Sequence, residues 1–257
     1  MHEIKDYIEF EKGNIPLILS VPHGGILECD SIPQRTKGVL GIDKGTIKLA
    51  KNLIKQISIN FKNEKLRFKT PFYISSRVRR SKIDLNRSEY EAYNQNSFLA
   101  REIYRFYHDK IKEWVFKNLE KYNRSLLIDI HGFEKDARPP GFRDVEVILG
   151  TNNLESFFSE PIQKRDWEKN IRGKIIQKLL LLDIPIAPGH PRRKEYVLTG
   201  GYTTTQYGAS RIPKSQTIQI EFSDRIRLYD ENLKKMVIKT LAHVFFEDLN
   251  EPNYLMR

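Results

Sequence analysis

The sequence predicts an α/β fold: a three-layer α/β/α sandwich with a mixed, mostly parallel central sheet. Three observations carry this. Short, dense apolar runs rich in β-formers recur at 15–21, 125–131, 145–149 and 217–222, as expected of strands buried in a sheet. Long stretches with apolar residues at helical spacing lie between them, an alternation that lays helices on both sides of a sheet. No internal repeat, low-complexity tract or Pro/Gly/Ser-rich linker interrupts the 257 residues, so a single domain, 1–257, is expected, large enough for a sizeable core.

The opening strand is I-P-L-I-L-S-V, 15–21. Pro22, Gly24 and Gly25 stop it, and His23 stands at its carboxyl end. Ligands of open α/β sheets bind outside the carboxyl ends of the strands, so the partners to seek are those that other strands bring to His23. A loop over 26–42 contains Pro33, Gly38 and Gly41. A helix follows from about Asp43, with Ile47, Ala50, Ile54, Ile57 and Phe61 on one face. A strand-rich segment, 66–76, precedes the basic run R-V-R-R-S-K and then I-D-L-N-R. Asn96 or Ser97 caps a long helix to about Tyr122, with Ile103, Phe106, Tyr107 and Trp114 turned inward.

The strand S-L-L-I-D-I-H, 125–131, again ends in a histidine. After the strand at 145–149, a charged helix covers about 166–182. The loop P-I-A-P-G-H-P-R-R-K leads through 196–198 to G-G-Y-T-T-T-Q-Y-G. The strand T-I-Q-I-E-F, 217–222, carries Glu221 near its end. A last helix, about 229–246, holds Leu233, Val237, Leu241 and Phe245 at helical spacing.

Composition narrows the function. The net charge of +11 favours acidic ligands and permits nucleic-acid binding. No aromatic residue interleaves the basic run 77–82, as base stacking would require. The single cysteine, Cys29, excludes an internal disulfide and a Cys-rich zinc site. The longest aliphatic block, 179–182, is too short to span a bilayer, and the first residues lack an apolar signal core. A soluble, cytoplasmic protein is expected; the sequence does not set its oligomeric state. There is no Walker-type loop and no G-x-G-x-x-G.

Two strands ending in His23 and His131, and a third ending in Glu221, can converge although they are distant in sequence. Two neutral imidazoles and one carboxylate form a common catalytic zinc set, with a fourth position left for water. The third ligand can be Glu28, Asp43, Asp129 or Glu221, and spacing alone does not choose. Asp129 lies two residues before His131, so on a strand both face one way, and Asp129 can ligate or orient. Arg87 of D-x-N-R can pair with a substrate carboxylate, or simply with Asp84 or Glu89. Tyr202 follows two glycines and either lines a site or packs in a turn. His108 and His243 lie mid-helix and read as structural, His2 lies in a terminus, and His190 sits in a Pro/Gly/Arg loop.

The ordered blocks S-V-P-H-G-G, D-K-G-T, I-D-L-N-R, L-I-D-I-H-G, D-V-E-V-I-L-G-T, G-G-Y-T-T-T-Q-Y-G and I-Q-I-E-F-S resemble the N-formylglutamate amidohydrolase family from about residue 15 to 225. That family is similar in fold to the zinc carboxypeptidases, so the resemblance implies a phosphorylase/hydrolase-like sandwich of the zinc-dependent exopeptidase type. It implies one Zn2+ per chain on His23, Asp43 and His131, with Asp84 behind His23; Asp129 is then placed, by its spacing, as the residue that orients His131. Asn86 and Arg87 would bind the substrate carboxylate, Arg80 would polarise the scissile carbonyl with Arg77 and Arg79 as competitors, and Glu221 would be the general base. Gly24 and Gly25 would let backbone pass close to the metal. The chain departs from the family pattern in P-H-G-G, where P-H-S-G is commoner. It departs again at Thr204, Thr205 and Gln206, where many relatives carry a basic residue or histidine; both departures bear on specificity for glutamate.

The implied activity is hydrolysis of an N-formyl or N-acyl amide in a small acidic substrate. Two rivals remain open: a metallocarboxypeptidase-like enzyme acting on acidic peptides, and a non-enzymatic binder of nucleic acid or another polyanion.

Overall fold

Seven strands build one mixed sheet: β1 (Ile8–Glu11), β2 (Leu17–Val21), β3 (Phe72–Ser76), β4 (Ser125–Phe133), β5 (Val147–Gly150), β6 (Ile186–Ala187) and β7 (Ser215–Ser223). The structure is a computed structural model and describes residues 4–63, 69–137, 144–196 and 198–250. The spatial order is β1-β3-β2-β4-β7-β5-β6. The central strands β3, β2, β4 and β7 are parallel. β1 is antiparallel at one edge, and β5 runs antiparallel to β7 while pairing parallel with β6.

Helices α1 (Thr46–Asn63), α4 (Ile171–Leu180) and α6 (Glu231–Asn250) cover one face, and α3 (Phe98–Tyr122) with the short α5 (Tyr202–Tyr207) lies on the other. A four-residue turn, α2 (Glu89–Ala92), precedes α3. This is the three-layer sandwich with a mixed sheet that the alternation predicts. Among the described residues, no helix is long and apolar enough to cross a membrane.

The two sheet faces differ in chemistry because side chains alternate along a strand. Leu126, Ile128 and Ile130 of β4 and Ile218, Ile220 and Phe222 of β7 join the core under α1, α4 and α6. On the opposite face the same strands carry Asp129, His131, Gln219 and Glu221, all buried. Deeper on that face, Ile18, Phe72, Ile74 and Leu127 pack beneath α3, whose Trp114 meets Phe72 at 5.1 Å between ring centroids. Truncating such a residue to alanine costs about 3–5 kcal/mol. The functional face is therefore apolar at the amino ends of the strands and polar at their carboxyl ends.

Boundaries moved where capping decides them. Ser97 rather than Asn96 caps α3, its Oγ accepting from the Ala100 amide at 3.2 Å. α1 opens at Thr46 rather than Asp43, with the Thr46 hydroxyl bonded to the Asp43 carbonyl at 2.7 Å. Asn170 caps α4, so the expected start near 166 is a separate 3-10 turn. Asp230 accepts from the Leu233 amide at the head of α6, and 225–229 forms a π-helical turn instead of the first residues of that helix. The strand expected at 145–149 spans Val147–Gly150, and that expected within 66–76 is Phe72–Ser76. His2, residues 66–68 and Val197 lie outside the described residues. β1, β6 and α5 were not anticipated.

Candidate metal centre

Four segments converge at the carboxyl edge of the parallel strands. Pro22 ends β2 and turns the chain so that His23 sits over the sheet edge, where its carbonyl accepts from the Asp43 amide at 2.9 Å. That bond holds Asp43, just ahead of α1, above His131 of β4. The Asp43 carboxylate is fixed further by the Gly132 amide, 3.1 Å from Oδ2. In β7, Glu221 stands directly opposite His131 in the parallel register.

His23, Asp43 and His131 each offer one donor atom, and these atoms lie within 4.8 Å of one another. The two Nδ1 atoms are 3.1 Å apart, and Asp43 Oδ2 is 3.6 Å from that of His23 and 3.3 Å from that of His131. All three residues are buried. The far nitrogen of each ring meets a carboxylate: His23 Nε2 lies 2.6 Å from Asp84 Oδ1, and His131 Nε2 lies 2.9 Å from Asp129 Oδ2. An acceptor at Nε2 keeps the proton there and leaves the Nδ1 lone pair for a ligand. Two lone pairs cannot face each other at 3.1 Å unless a proton or a cation sits between them. The donor set therefore fits a divalent metal such as zinc, with two imidazoles, one carboxylate and an open position.

The electrostatics agree. Burial alone would raise the Asp43 carboxyl, but hydrogen bonds from His131 and His23 prevail and hold it below the usual carboxylate range. Burial opposes a charge on His131, yet the carboxylates of Asp129 and Asp43 lift its pKa well above the ordinary imidazole value. Without a metal, that charge is a proton.

Asp84 is ringed by cations. Arg80 Nε lies 3.1 Å from its Oδ2, Arg35 Nη1 3.5 Å and Arg87 Nε 3.8 Å. Burial pushes the Asp84 carboxyl up, and the charges of His23, Arg80 and Arg35 together bring it far below normal. Arg80 also reaches toward Asp43 Oδ1, 3.8 Å away, and so faces the centre. Its competitors do not: Arg77 is exposed, and Arg79 pairs with Glu28 at the surface. That pairing removes Glu28 as a candidate ligand. Lys82 Nζ donates to the Ile32 carbonyl at 2.9 Å, so the basic run 77–82 is split rather than presented as one strip.

Glu221 is almost wholly buried, and burial raises its pKa, with the Asp43 charge adding to the effect and the imidazoles opposing it. Gln219 Nε2 donates to Glu221 Oε1 at 2.9 Å, while Gln219 Oε1 accepts from the Gly201 amide at 2.8 Å. Asn86 joins the same junction: its Oδ1 accepts from the Thr203 amide at 2.8 Å, and its Nδ2 reaches Gln219 Oε1 at 3.3 Å. Gly201 is required there, because a Cβ would stand 2.2 Å from the Asn86 amide.

Other candidates fall elsewhere. Tyr202 begins α5, where a turn or substrate loop was expected, and its ring stands edge-on to His108 at 5.5 Å. His108 is a core histidine, bonded to the Tyr207 hydroxyl at 2.9 Å and pushed down to about 4 by burial. His190 and His243 are exposed. Gly25 serves backbone packing rather than the metal, since a Cβ there would come 2.4 Å from the Arg77 backbone. Three residues of the site went unnoticed in the sequence: Ser20, Gln219 and Arg35. The alternation in L-I-L-S-V and T-I-Q-I-E-F marks the first two as polar on one face, whereas Arg35 lies in an irregular loop and leaves no signal.

The fold is similar to that of two solved structures. N-formylglutamate amidohydrolase from Ralstonia eutropha superposes with a TM-score of 0.63 at 13% identity, over 95% of this chain and 97% of that one. A gene product from Agrobacterium tumefaciens gives 0.57 at 15% identity, over 95% and 93%. No family model and no curated protein sequence matches the chain. At these identities the likeness establishes the fold alone, and the first structure carries the name of the family that the sequence blocks resemble.

Proposed function

We propose that this protein is a zinc-dependent amidohydrolase that cleaves the N-formyl or N-acyl amide of a small substrate bearing a carboxylate, such as an N-formyl amino acid. The observation that carries this reading is the convergence of three metal donors with a buried carboxylate, Glu221, in register beside one of them. A bound zinc ion supplies Lewis acidity, polarising the amide carbonyl and making water acidic enough to lose a proton near neutral pH.

The remaining work falls to the chain's own groups. Glu221 takes the proton from the attacking water and returns it to the leaving amine. Its burial favours a carboxylate that binds a proton readily. Arg80, half-turned from Asp84 toward Asp43, supplies positive charge to the oxyanion that develops on the amide oxygen. Arg35, Arg80 and Arg87 share one carboxylate, Asp84, and this excess of cation suits an anionic substrate. Arg87 is the most exposed of the three and is the group offered to the substrate carboxylate. Asn86 would serve that carboxylate only by releasing part of its bonding to Gln219 and Thr203.

A longer acidic peptide is the second reading. A cavity of about 440 Å³ is lined by Arg87 itself together with Arg35, Lys37, Tyr90 and Gln95 among others, and it has room for more than one residue. Product analysis on N-formylglutamate against short acidic peptides separates the two. The expected result is close to one zinc per purified chain and amide hydrolysis that a chelator abolishes and zinc restores. Metal-free protein that cannot be reloaded, or chelator-independent hydrolysis, defeats the proposal.

A further inference from the structure

We infer that Ser20 is a positioning residue for the metal centre, acting through Asp129 on His131; the inference rests on the metal-binding reading above. Two successive rungs cross the parallel strands at the site. One rung is Ser20, Asp129 and Gln219, side by side on β2, β4 and β7. The next carries His131 and Glu221. Each working residue is held by the residue two positions before it on its own strand: Asp129 accepts from His131, and Gln219 donates to Glu221. Ser20 completes the first rung by donating its hydroxyl to Asp129 Oδ1 at 2.5 Å.

The geometry assigns the hydroxyl a task. Asp129 and Ser20 are wholly buried, with the Tyr107 phenol of α3 beside Ser20, so bulk water is not at hand to replace a missing donor. Its two oxygens are divided, Oδ1 to Ser20 and Oδ2 to His131 Nε2. The Ser20 bond fixes the carboxylate plane, which fixes the His131 ring and keeps its proton on Nε2, so that Nδ1 points at His23 and Asp43. Without that hydroxyl, Asp129 can rotate to share itself differently, and the ligand ring is left with a looser carboxylate and the Asn86 amide, 3.2 Å from its Nε2. His23 has no such dependence, because Asp84 is held by three arginines and by the Asn86 amide.

The test is zinc affinity of the full chain, read by competition with a chromophoric chelator and needing no substrate. Groups that orient a metal ligand are worth about 10- to 100-fold in affinity. Ser20 acts one bond further out, so Ser20→Ala is expected to weaken zinc binding about 3- to 10-fold. Ser20→Thr keeps the hydroxyl and is expected to bind like the parent, whereas its isostere Ser20→Val is expected to behave like Ser20→Ala. Ser75, equally buried on the neighbouring β3, is the control, and Ser75→Ala should leave affinity unchanged. Equal affinity in the Thr and Val variants overturns the inference while leaving the metal reading intact. So does a loss in Ser75→Ala as large as in Ser20→Ala. A parent protein that binds no zinc overturns both. The Thr and Val pair keeps the comparison decisive if the smaller alanine destabilises the strand.

Discussion

His23 and His131 reach one centre through the same ring nitrogen, and each rests its other nitrogen on an aspartate, yet the two aspartates are held by opposite means. Asp84 is held by charge, with three guanidinium groups around one oxygen. Asp129, fully buried, is held on its other oxygen by the Ser20 hydroxyl. The first support extends to the surface, since the Arg87 side chain is 44% exposed. The second is sealed. The same orienting task can thus be done by an electrostatic cluster that also reaches the surface, or by a short buried hydrogen-bond chain that serves one imidazole alone.

The largest effect should come from the proposed base, which stands opposite His131 in the register of β4 and β7. Glu221→Gln is expected to keep zinc and lose about 10²- to 10⁴-fold in turnover; metal analysis beside kinetics checks both halves, and full activity removes Glu221 from the role of base. Next is Arg80→Ala, expected to lower kcat about 100- to 1000-fold with the metal retained. An effect confined to KM would make Arg80 a binding group and part of the Asp84 cluster only.

The comparison itself is tested by Asp84→Asn against Asp129→Asn. Each should weaken zinc binding about 10- to 100-fold, but their stability costs should differ. Removing the Asp84 charge strands buried guanidinium groups and should cost about 3–5 kcal/mol in a urea titration. Asp129→Asn still has Ser20 beside it and should cost about 1–3 kcal/mol. Equal costs would erase the distinction between a charge-held and a hydroxyl-held side.

The smallest effect is a response of the metal-free protein to pH, opposite on the two sides. The folded-state pKa of Asp84 is depressed, so its contribution to stability is full above the unfolded value of about 3.9 and is lost as pH falls below it. The His131 pKa is raised, so its contribution is full below about 6.5 and is lost as pH rises toward the folded value. Metal-free stability should therefore decline on both the acid and the alkaline side. Zinc should flatten the alkaline decline, because it takes the place of the His131 proton. Denaturation curves with and without zinc at pH 6 and 9 measure this.

Much of this was legible in the chain, for stated reasons. The strands that carry the site are dense runs of Leu, Ile and Val, with His23 just past β2 and His131 and Glu221 set near the ends of β4 and β7, so these strands and the polar residues at their carboxyl ends could be read directly. The choice of Asp43 over Glu28 came only from resemblance, since both lie in an irregular loop and its path is set by tertiary bonds such as Asp43 to the His23 carbonyl. β1 is a four-residue edge strand and β6 has two residues, too short for any period to show. α5, Y-T-T-T-Q-Y, is built of weak helix formers and is held by Asn86, Gln219 and the core beneath it, not by its own propensity. Arg35 acquires a role only once loop 26–42 folds over Asp84.

The rung arrangement also dictates when the centre can exist during folding. His23 and His131 are 108 residues apart in the chain, and the polar face appears only when β2, β4 and β7 are aligned in their native register. A slip of one residue in β7 would send Glu221 into the core and bring Ile220 to the face that carries the imidazoles. The unfolded chain has no preformed trap for the ion, and such long-range pairings close late in folding. Zinc should then act as a latch on the finished sheet: added to refolding chains it should leave the folding rate unchanged, and added to native protein it should slow unfolding.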